Sequence, residues 1–110
     1  MLEIRLGTRY AKSILGLAKE RNELELVVKD FQLIHDVCVQ NPDFVGMLRS
    51  PLINPGKKEK IIKAVFSKGK LTELTTKFIE IVIRKRREKY LYDISDRFLH
   101  LYDQKHTLFR

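Results

Sequence analysis

The side chains best suited to metal binding or nucleophilic chemistry lie close together in the first half of the chain. His35 and Cys38 are three residues apart on a predicted helix, a spacing that two ligands of one metal ion can share. A tetrahedral site needs further ligands, and no other residue of that kind is near them in sequence. Cys38 also lacks the neighbouring cations that activate a thiol. Packing is therefore favoured over metal binding or catalysis at both positions.

The remaining candidates for acid–base chemistry lie near the end of the chain. His100 and His106 have Asp96 and Asp103 at helical spacing, which is typical of ordinary surface pairs. The five glycines never form a phosphate-binding loop. We therefore predict no catalytic residue, no metal ion and no cofactor, and a chain that is not an enzyme.

The net charge of +8 lies entirely in the second half of the chain. Residues 1–55 carry seven lysines and arginines against seven acids, and residues 56–110 carry fifteen against seven. The densest stretch is IRKRREK, Ile83 to Lys89, and a small basic helical domain that binds nucleic acid through it is the alternative function. A solvated helix end is favoured, because positive charge suits the carboxyl end of a helix and no aromatic residue is interleaved for base stacking.

Length and composition describe one folded domain. A chain of 110 residues buries roughly two thirds of its unfolded surface, and its single cysteine excludes an internal disulfide. No apolar run reaches the roughly 18 residues of a membrane span, and MLEIRLGTRYAK has no signal-peptide pattern. Binding to anionic lipid is a weaker alternative, because no helix combines a basic face with an exposed apolar face. We expect a soluble cytosolic protein.

Apolar residues recur at helical spacing along nearly the whole sequence. A strand over Ile79 to Ile83 is the alternative there, but helical spacing continues on both sides. The predicted elements are helix 1 from Thr8 to Arg21, helix 2 from Glu23 to Gln40, a short helix 3 capped by Asn41 with Pro42 first, helix 4 opened by Asn54 and Pro55 and closed by Gly69, helix 5 from Thr72 to Glu88, and helix 6 from Leu91 to Lys105. The fold class is all-α, a compact six-helix bundle.

Two helices carry more apolar surface than one core needs. In RYAKSILGLAKE the apolar residues of helix 1 span an arc of about 160°, and those of helix 5 span about 200°, whereas a helix packed on one core shows about 100°. Helix 2 is apolar on two opposite sides, which favours a central position. The surplus on helices 1 and 5 needs a different explanation.

The same segment resembles a known family. RYAKSILGLAKE is similar to the RYAKALFELA segment that opens the δ subunit of bacterial F-type ATP synthases, which is related to the mitochondrial oligomycin-sensitivity-conferring protein. The similarity continues in order through NPDFVGMLRSPLINPGKKEKII, LTELTTKFIEIVIRKRRE and YDQKH, and covers nearly all of the chain.

This resemblance implies a non-catalytic stator subunit that links the catalytic head to the peripheral stalk during proton-driven ATP synthesis. It implies an N-terminal six-helix domain over residues 1–106, with residues 107–110 beginning a linker or C-terminal domain. The implied partners are the N-terminal helix of an α subunit and, mainly through the C-terminal domain, the b subunit of the stalk. Neither nucleic acid nor membrane insertion is implied, and the implied location is peripheral, on the cytoplasmic face of the bacterial inner membrane.

The resemblance also implies where the α-subunit helix binds, namely a groove between helices 1 and 5. Ala11, Leu15 and Ala18 are then expected to face the core. Core packing remains the alternative for each groove residue. The groove residues are expected to be Tyr10, Ser13, Ile14, Leu17, Leu74, Phe78, Ile81, Val82 and Lys85.

Overall fold

A computed structural model describes the backbone of residues 2–67 and 71–107 and the side chains of residues 5–67 and 71–103. The described residues form six α-helices and one 3₁₀ turn, with no strand among them. The elements are α1 (Leu2–Glu20), α2 (Leu24–Gln40), α3 (Pro42–Arg49), α4 (Pro55–Phe66), α5 (Glu73–Arg84), the 3₁₀ turn (Glu88–Tyr90) and α6 (Leu91–Thr107). The predicted all-α six-helix bundle is confirmed, and the strand alternative is wrong because its residues lie inside α5.

Of the helices α3, α4 and α5, the last two begin with a side-chain cap. Asn54 Oδ1 accepts a hydrogen bond of 2.8 Å from the Lys57 N–H at the start of α4. Thr72 Oγ1 accepts one of 3.2 Å from the Thr75 N–H at the start of α5. Asn41 does not cap α3 with its side chain as predicted, because its amide donates to the Val37 carbonyl at the end of α2 instead. The predicted closure of α4 at Gly69 lies outside the described residues.

Helix α5 ends one turn before the predicted boundary. Arg86 has a φ of 57°, in the left-handed region that stops a helix. The N–H groups of Arg86 and Arg87 donate to the carbonyls of Ile83 and Val82, which closes the last turn. The basic stretch is therefore a helix end followed by a turn, and not a continuous helix.

The core lies between α1, α2, α5 and α6. The rings of Phe31 and Phe98 stack with centroids 4.4 Å apart, and Leu91, Ile94 and Phe98 of α6 are fully buried. Gly7 lets α1 approach α6 closely, because a Cβ there would lie 3.3 Å from the Asp93 carbonyl carbon.

Two predicted helix faces differ from the structure. The second apolar side of α2 is only partly covered, because Leu33 and Val37 are half-buried against the core whereas Leu26 is 53% exposed. On α4, the apolar residues Ile62 and Phe66 are buried, but Val65 at the same helical spacing is exposed and Lys58 lies in the interior. The interior position of Lys58 is possible because the lysine has a buried ionic partner, described below.

Candidate partner-binding surface

The predicted groove helices contact each other through two aromatic rings. The rings of Tyr10 on α1 and Phe78 on α5 meet edge to face, with centroids 6.1 Å apart. Phe78 also contacts Phe31 of the core, at 5.9 Å. The surface formed by α1 and α5 is therefore anchored to the core by a chain of aromatic contacts, and we call it the α1–α5 surface.

Apolar side chains remain exposed on both sides of this ring contact. Leu17 lies two turns after Tyr10 on the same face of α1 and is 39% exposed. Ile81 lies one turn after Phe78 on α5 and is 43% exposed. Tyr10 is half-buried, and Phe78 is buried with one edge against Tyr10. The α1–α5 surface thus offers apolar contacts that the described part of the bundle does not cover.

The other predicted groove residues include both exposed and buried side chains. Ser13 and Lys85 are exposed, whereas Leu74 is buried beside Phe78 on α5. Of the nine predicted groove residues, Ser13, Leu17, Ile81 and Lys85 are exposed, Tyr10 is half-buried, and Leu74 and Phe78 are buried.

Two predicted groove residues lie in the core instead. Ile14 and Val82 are both 0% exposed, so the prediction that they line an open groove is wrong. Side chains four residues apart on a helix differ by about 40° in direction. Ile14, four residues after Tyr10, is therefore turned away from Tyr10 and towards the direction of Ala18, which faces the core. The expectation that Ala11 and Ala18 face the core is confirmed, and both are 0% exposed.

Charged side chains flank the α1–α5 surface where α1 ends and α5 begins. A hydrogen bond from Lys77, together with the nearby positive charges of Lys77 and Arg21, lowers the pKa of Glu73. Because Arg21 follows α1 and Glu73 starts α5, the two helices run in opposite directions along this surface. Both signs of charge therefore lie at this end of the α1–α5 surface.

The candidate metal ligands have structural partners. His35 Nε2 lies 3.3 Å from Asp96 Oδ1, and its ring packs against Tyr92. Burial raises the pKa of the Cys38 thiol to about 11, although the charge of Arg49 opposes the shift. Within residues 5–67 and 71–103, no group of three or more His, Cys, Asp and Glu side chains is arranged to hold a metal ion. The His106 side chain lies outside that part of the chain.

The basic stretch is exposed at the carboxyl end of α5. Arg84, Lys85 and Arg86 are exposed, but Glu88 is buried in an ion pair with Lys58. This arrangement is that of a solvated helix end, and use of the stretch for nucleic acid stays an untested alternative. In the described part of the chain, no helix is both long and apolar enough to cross a bilayer.

The structure also contains a cleft that the sequence did not predict. It lies between α4 and α5 and has a volume of about 370 Å³. Ile79 and Ile83 line it from α5, so part of the unusually wide apolar arc of α5 faces α4 and not α1. The wide apolar arc of helix 5 was the sequence signal for this cleft. Periodicity alone does not say which neighbouring helix each side of such an arc faces.

Comparison with known proteins identifies the family. Residues 6–110 match the sequence profile described as ATP synthase delta (OSCP) subunit. The chain belongs to the ATP synthase delta (OSCP) subunit family. The ATP synthase subunit delta of Cytophaga hutchinsonii is 34% identical over 105 residues, which cover 96% of this chain and 57% of the relative. That of Chlorobaculum tepidum is 37% identical over 97 residues, covering 88% and 53%.

A chloroplast relative extends this similarity beyond bacteria. The chloroplastic ATP synthase subunit delta of Galdieria sulphuraria is 34% identical over 95 residues, which cover 86% of this chain and 53% of the relative. This member of the delta family therefore spans about half the length of the curated relatives it matches. The delta subunit is a non-catalytic part of the synthase, which agrees with the prediction that the chain is not an enzyme.

Proposed function

We propose that this chain is the N-terminal domain of a delta subunit and serves as a non-catalytic stator component of an F-type ATP synthase. In this role it holds the catalytic head to the peripheral stalk, so that the head does not turn with the rotor. Support comes from the family match over residues 6–110 and from the all-helical fold of the described residues.

We further propose that the α1–α5 surface binds the N-terminal helix of an α subunit. The observation that carries this proposal is the Tyr10–Phe78 contact with exposed Leu17 and Ile81 beside it. An amphipathic helix laid along this surface would cover these side chains with its own apolar face, as in other helix-in-groove complexes. Ser13, being small, leaves room for close approach of the guest backbone.

The predicted groove residues then have three roles. Tyr10, Leu17 and Ile81 would contact the guest directly, and Lys85 would pair with an acidic residue at its edge. Leu74 and Phe78 would form the floor. Ile14 and Val82, fully buried, would hold the two helices in place from beneath.

Isothermal titration calorimetry with a synthetic peptide of the α-subunit N-terminus tests this proposal. Burying a side chain of this size is worth roughly 1.5–3 kcal/mol, so Leu17→Asp and Ile81→Asp should each weaken binding at least about tenfold. Leu52→Asp is the matched control, because Leu52 is 92% exposed and far from both helices in sequence. Binding that is absent in the wild type, or unchanged in both surface variants, would reject the proposed site.

The other partner and the location follow from the same proposal. The b subunit of the peripheral stalk would be bound mainly by the part of a full-length delta subunit that this chain does not include. The assembled complex would hold the domain at the cytoplasmic face of the bacterial inner membrane. Co-purification of b with the full-length subunit, and its loss when only residues 1–110 are expressed, is the expected result.

A further inference from the structure

Helix α4 lies at the edge of the bundle. Among the described residues, its backbone approaches that of α5 more extensively than that of any other helix, whereas α6 runs along much of both α1 and α2. Lys57, Lys60 and Val65 of α4 are exposed. A helix with few tertiary contacts opens at a lower free-energy cost than the helices of the core.

The packing between α4 and α5 is incomplete. The cleft of about 370 Å³ lies between them, lined by Ile62 and Phe66 from α4 and by Ile79 and Ile83 from α5. These four side chains are shielded from solvent, but a side chain that faces a gap loses part of the dispersion contacts that close packing provides. The contact between α4 and α5 is therefore weaker than the burial of its side chains suggests.

Few contacts would have to separate for α4 to move. The connection from α3 is exposed at Pro51, and Leu52 is 92% exposed, so this connection can change its path at little cost. The ring of Phe66 meets that of Phe44 on α3 edge to face, with centroids 6.1 Å apart. The apolar contacts that movement of α4 must break are mainly those of Phe66 and Ile62.

A buried ion pair marks the closed position of α4. Lys58 Nζ donates to Glu88 Oε2 at 2.7 Å and to the Leu48 carbonyl at 2.8 Å. Glu88 Oε1 is buried without a hydrogen-bond partner among the described residues. When α4 moves away, water can solvate both charges, and this solvation replaces much of their attraction. The pair therefore specifies where α4 closes but resists opening less than its short distance suggests.

An exposed lysine provides a second ionic contact between α4 and α5. Lys63 Nζ lies 3.8 Å from Glu80 Oε2 on α5 and 3.1 Å from Glu59 Oε2 on its own helix. The Lys63 side chain is 57% exposed, so solvent and salt weaken both contacts. This lysine therefore adds little to the closed arrangement.

Helix α5 has contacts of its own with the core. The ring of Phe78 meets that of Phe31 on α2, with centroids 5.9 Å apart. At the start of α5, the Thr72 hydroxyl donates to Asp30 Oδ2 of α2 at 2.7 Å. Because none of these contacts involves α4, α5 can keep its place when α4 moves.

We propose that α4 opens away from the bundle as a separate cooperative unit while α1, α2, α5 and α6 remain folded. Formation of the Lys58–Glu88 pair closes α4 again. The opening needs no partner, and it gives solvent access to Ile79 and Ile83 on the side of α5 that α4 covers.

Native-state hydrogen exchange of the isotope-labelled 110-residue chain in increasing urea tests this opening. Relative to their rates in an unfolded chain, the amides of Ile62 and Lys63 in α4 should exchange at least about tenfold faster than those of Ile94 and Phe98 in α6. Exchange in α4 should also rise with urea, but with a smaller slope than exchange in α6, because the opening exposes less surface than global unfolding.

Two substitutions distinguish the opening of α4 from global unfolding. Glu88→Gln leaves Lys58 buried without a counter-ion only in the closed state, and should speed the exchange of Ile62 at least about a hundredfold. Ile14→Ala weakens the core around α1, which stays folded when α4 opens. This variant should speed the exchange of Phe98 at least about thirtyfold and leave that of Ile62 within about twofold.

Lys77→Met is the control for the loss of an ion pair. It breaks an exposed 2.9 Å contact with Glu73 within α5, which α4 does not share. The exchange of Ile62 should stay within about twofold of that in the wild type.

Several outcomes would overturn the proposal. Ile62 and Phe98 could share one urea slope and one free energy of exchange, which would mean that α4 opens only when the whole chain unfolds. Exchange of Ile62 that did not depend on urea would indicate local fluctuations and no cooperative unit. Ile14→Ala could speed Ile62 as much as Phe98, or Glu88→Gln could leave Ile62 unchanged. The comparison of wild type with Ile14→Ala decides the question even where Glu88→Gln does not fold.

Discussion

Lys58 Nζ lies 2.7 Å from Glu88 Oε2 in the interior of the bundle, where both side chains are almost fully buried. The same ammonium group donates to the Leu48 carbonyl at 2.8 Å. The pair therefore joins the end of α3, the first turn of α4 and the 3₁₀ turn before α6. Three segments that are short on their own are held together by one buried cation.

Removing one partner of this pair should destabilise the fold strongly. Glu88→Gln keeps the shape but leaves the Lys58 charge buried without a counter-ion, which should lower the free energy of unfolding by about 3–5 kcal/mol. The double variant Lys58→Met with Glu88→Leu should recover most of that loss, because it removes both buried charges. Urea unfolding followed by circular dichroism measures both values.

The matched control for this pair is an exposed one. Lys63→Met breaks the 3.1 Å contact with Glu59 on the surface of α4 and should cost less than about 1 kcal/mol. A loss for Glu88→Gln as small as that for Lys63→Met would mean that the buried pair contributes nothing to holding the three segments together.

Periodicity and capping residues predicted most of the fold, because each helix has an apolar stripe and α4 and α5 begin at side chains that can cap. They did not predict the Lys58–Glu88 pair. Both residues belong to lysine- and arginine-rich stretches whose composition indicates surface, and only the three-dimensional proximity of α4 and the 3₁₀ turn gives each charge a partner. Similarly, the end of α5 depends on a left-handed arginine, which no residue preference would suggest.

The candidate site was predictable only to the level of helix faces. The resemblance implied a site between α1 and α5, and the structure shows that these two helices contact each other through the Tyr10 and Phe78 rings. It could not separate Ile14, which is 0% exposed, from Leu17, which is 39% exposed. Their directions on α1 differ by only about 60°, and the boundary between core and surface falls within that angle.

The boundary between core and surface on α1 gives a second prediction. Ile14→Ala creates a cavity in the core and should lower the free energy of unfolding by about 2–5 kcal/mol. Leu17→Ala, at a partly exposed position of the same helix, should cost less than about 1.5 kcal/mol. The two variants are compared by urea unfolding, with the same dependence of the free energy of unfolding on urea concentration. Equal losses would show that the two side chains contribute alike to the fold, against the difference in their burial.

A third prediction concerns the hydrogen bonds between α2 and the start of α5. Asp30 Oδ2 accepts hydrogen bonds from the Thr72 hydroxyl at 2.7 Å and from the Thr72 N–H at 3.1 Å. Asp30→Ala should cost about 1.5–3 kcal/mol, because a buried carboxylate and two hydrogen bonds are lost together. Asp36→Ala, at an exposed position of α2, is the control and should change stability by less than about 0.5 kcal/mol.

The same hydrogen bonds can be tested by substituting Thr72. Thr72→Ala removes both the cap of α5 and the hydroxyl that Asp30 binds, and should cost about 0.5–2 kcal/mol on its own. The double variant should lose clearly less than the sum of the two single variants, because they share one interaction. Strict additivity would mean that Asp30 and Thr72 act independently.

The last prediction is a pH dependence that arises from Cys38. Burial raises the pKa of its thiol to about 11 in the folded chain, whereas an exposed cysteine has a pKa near 8.5. The unfolded chain therefore gives up this proton first, so the stabilisation is complete below about pH 8.5 and is lost as pH rises towards 11. The loss should not exceed about 1.4 kcal/mol per pH unit.

Cys38→Ala isolates this effect from other groups that titrate at high pH. The difference in free energy of unfolding between wild type and variant should be constant from pH 6 to about pH 8 and should then shrink with rising pH. The folded wild type should also react slowly with a disulfide reagent at pH 8, because the thiolate is the reactive form. Parallel stability curves up to about pH 10.5, together with fast labelling of the folded chain, would mean that the Cys38 thiol is not shielded from water by α2 and its neighbours.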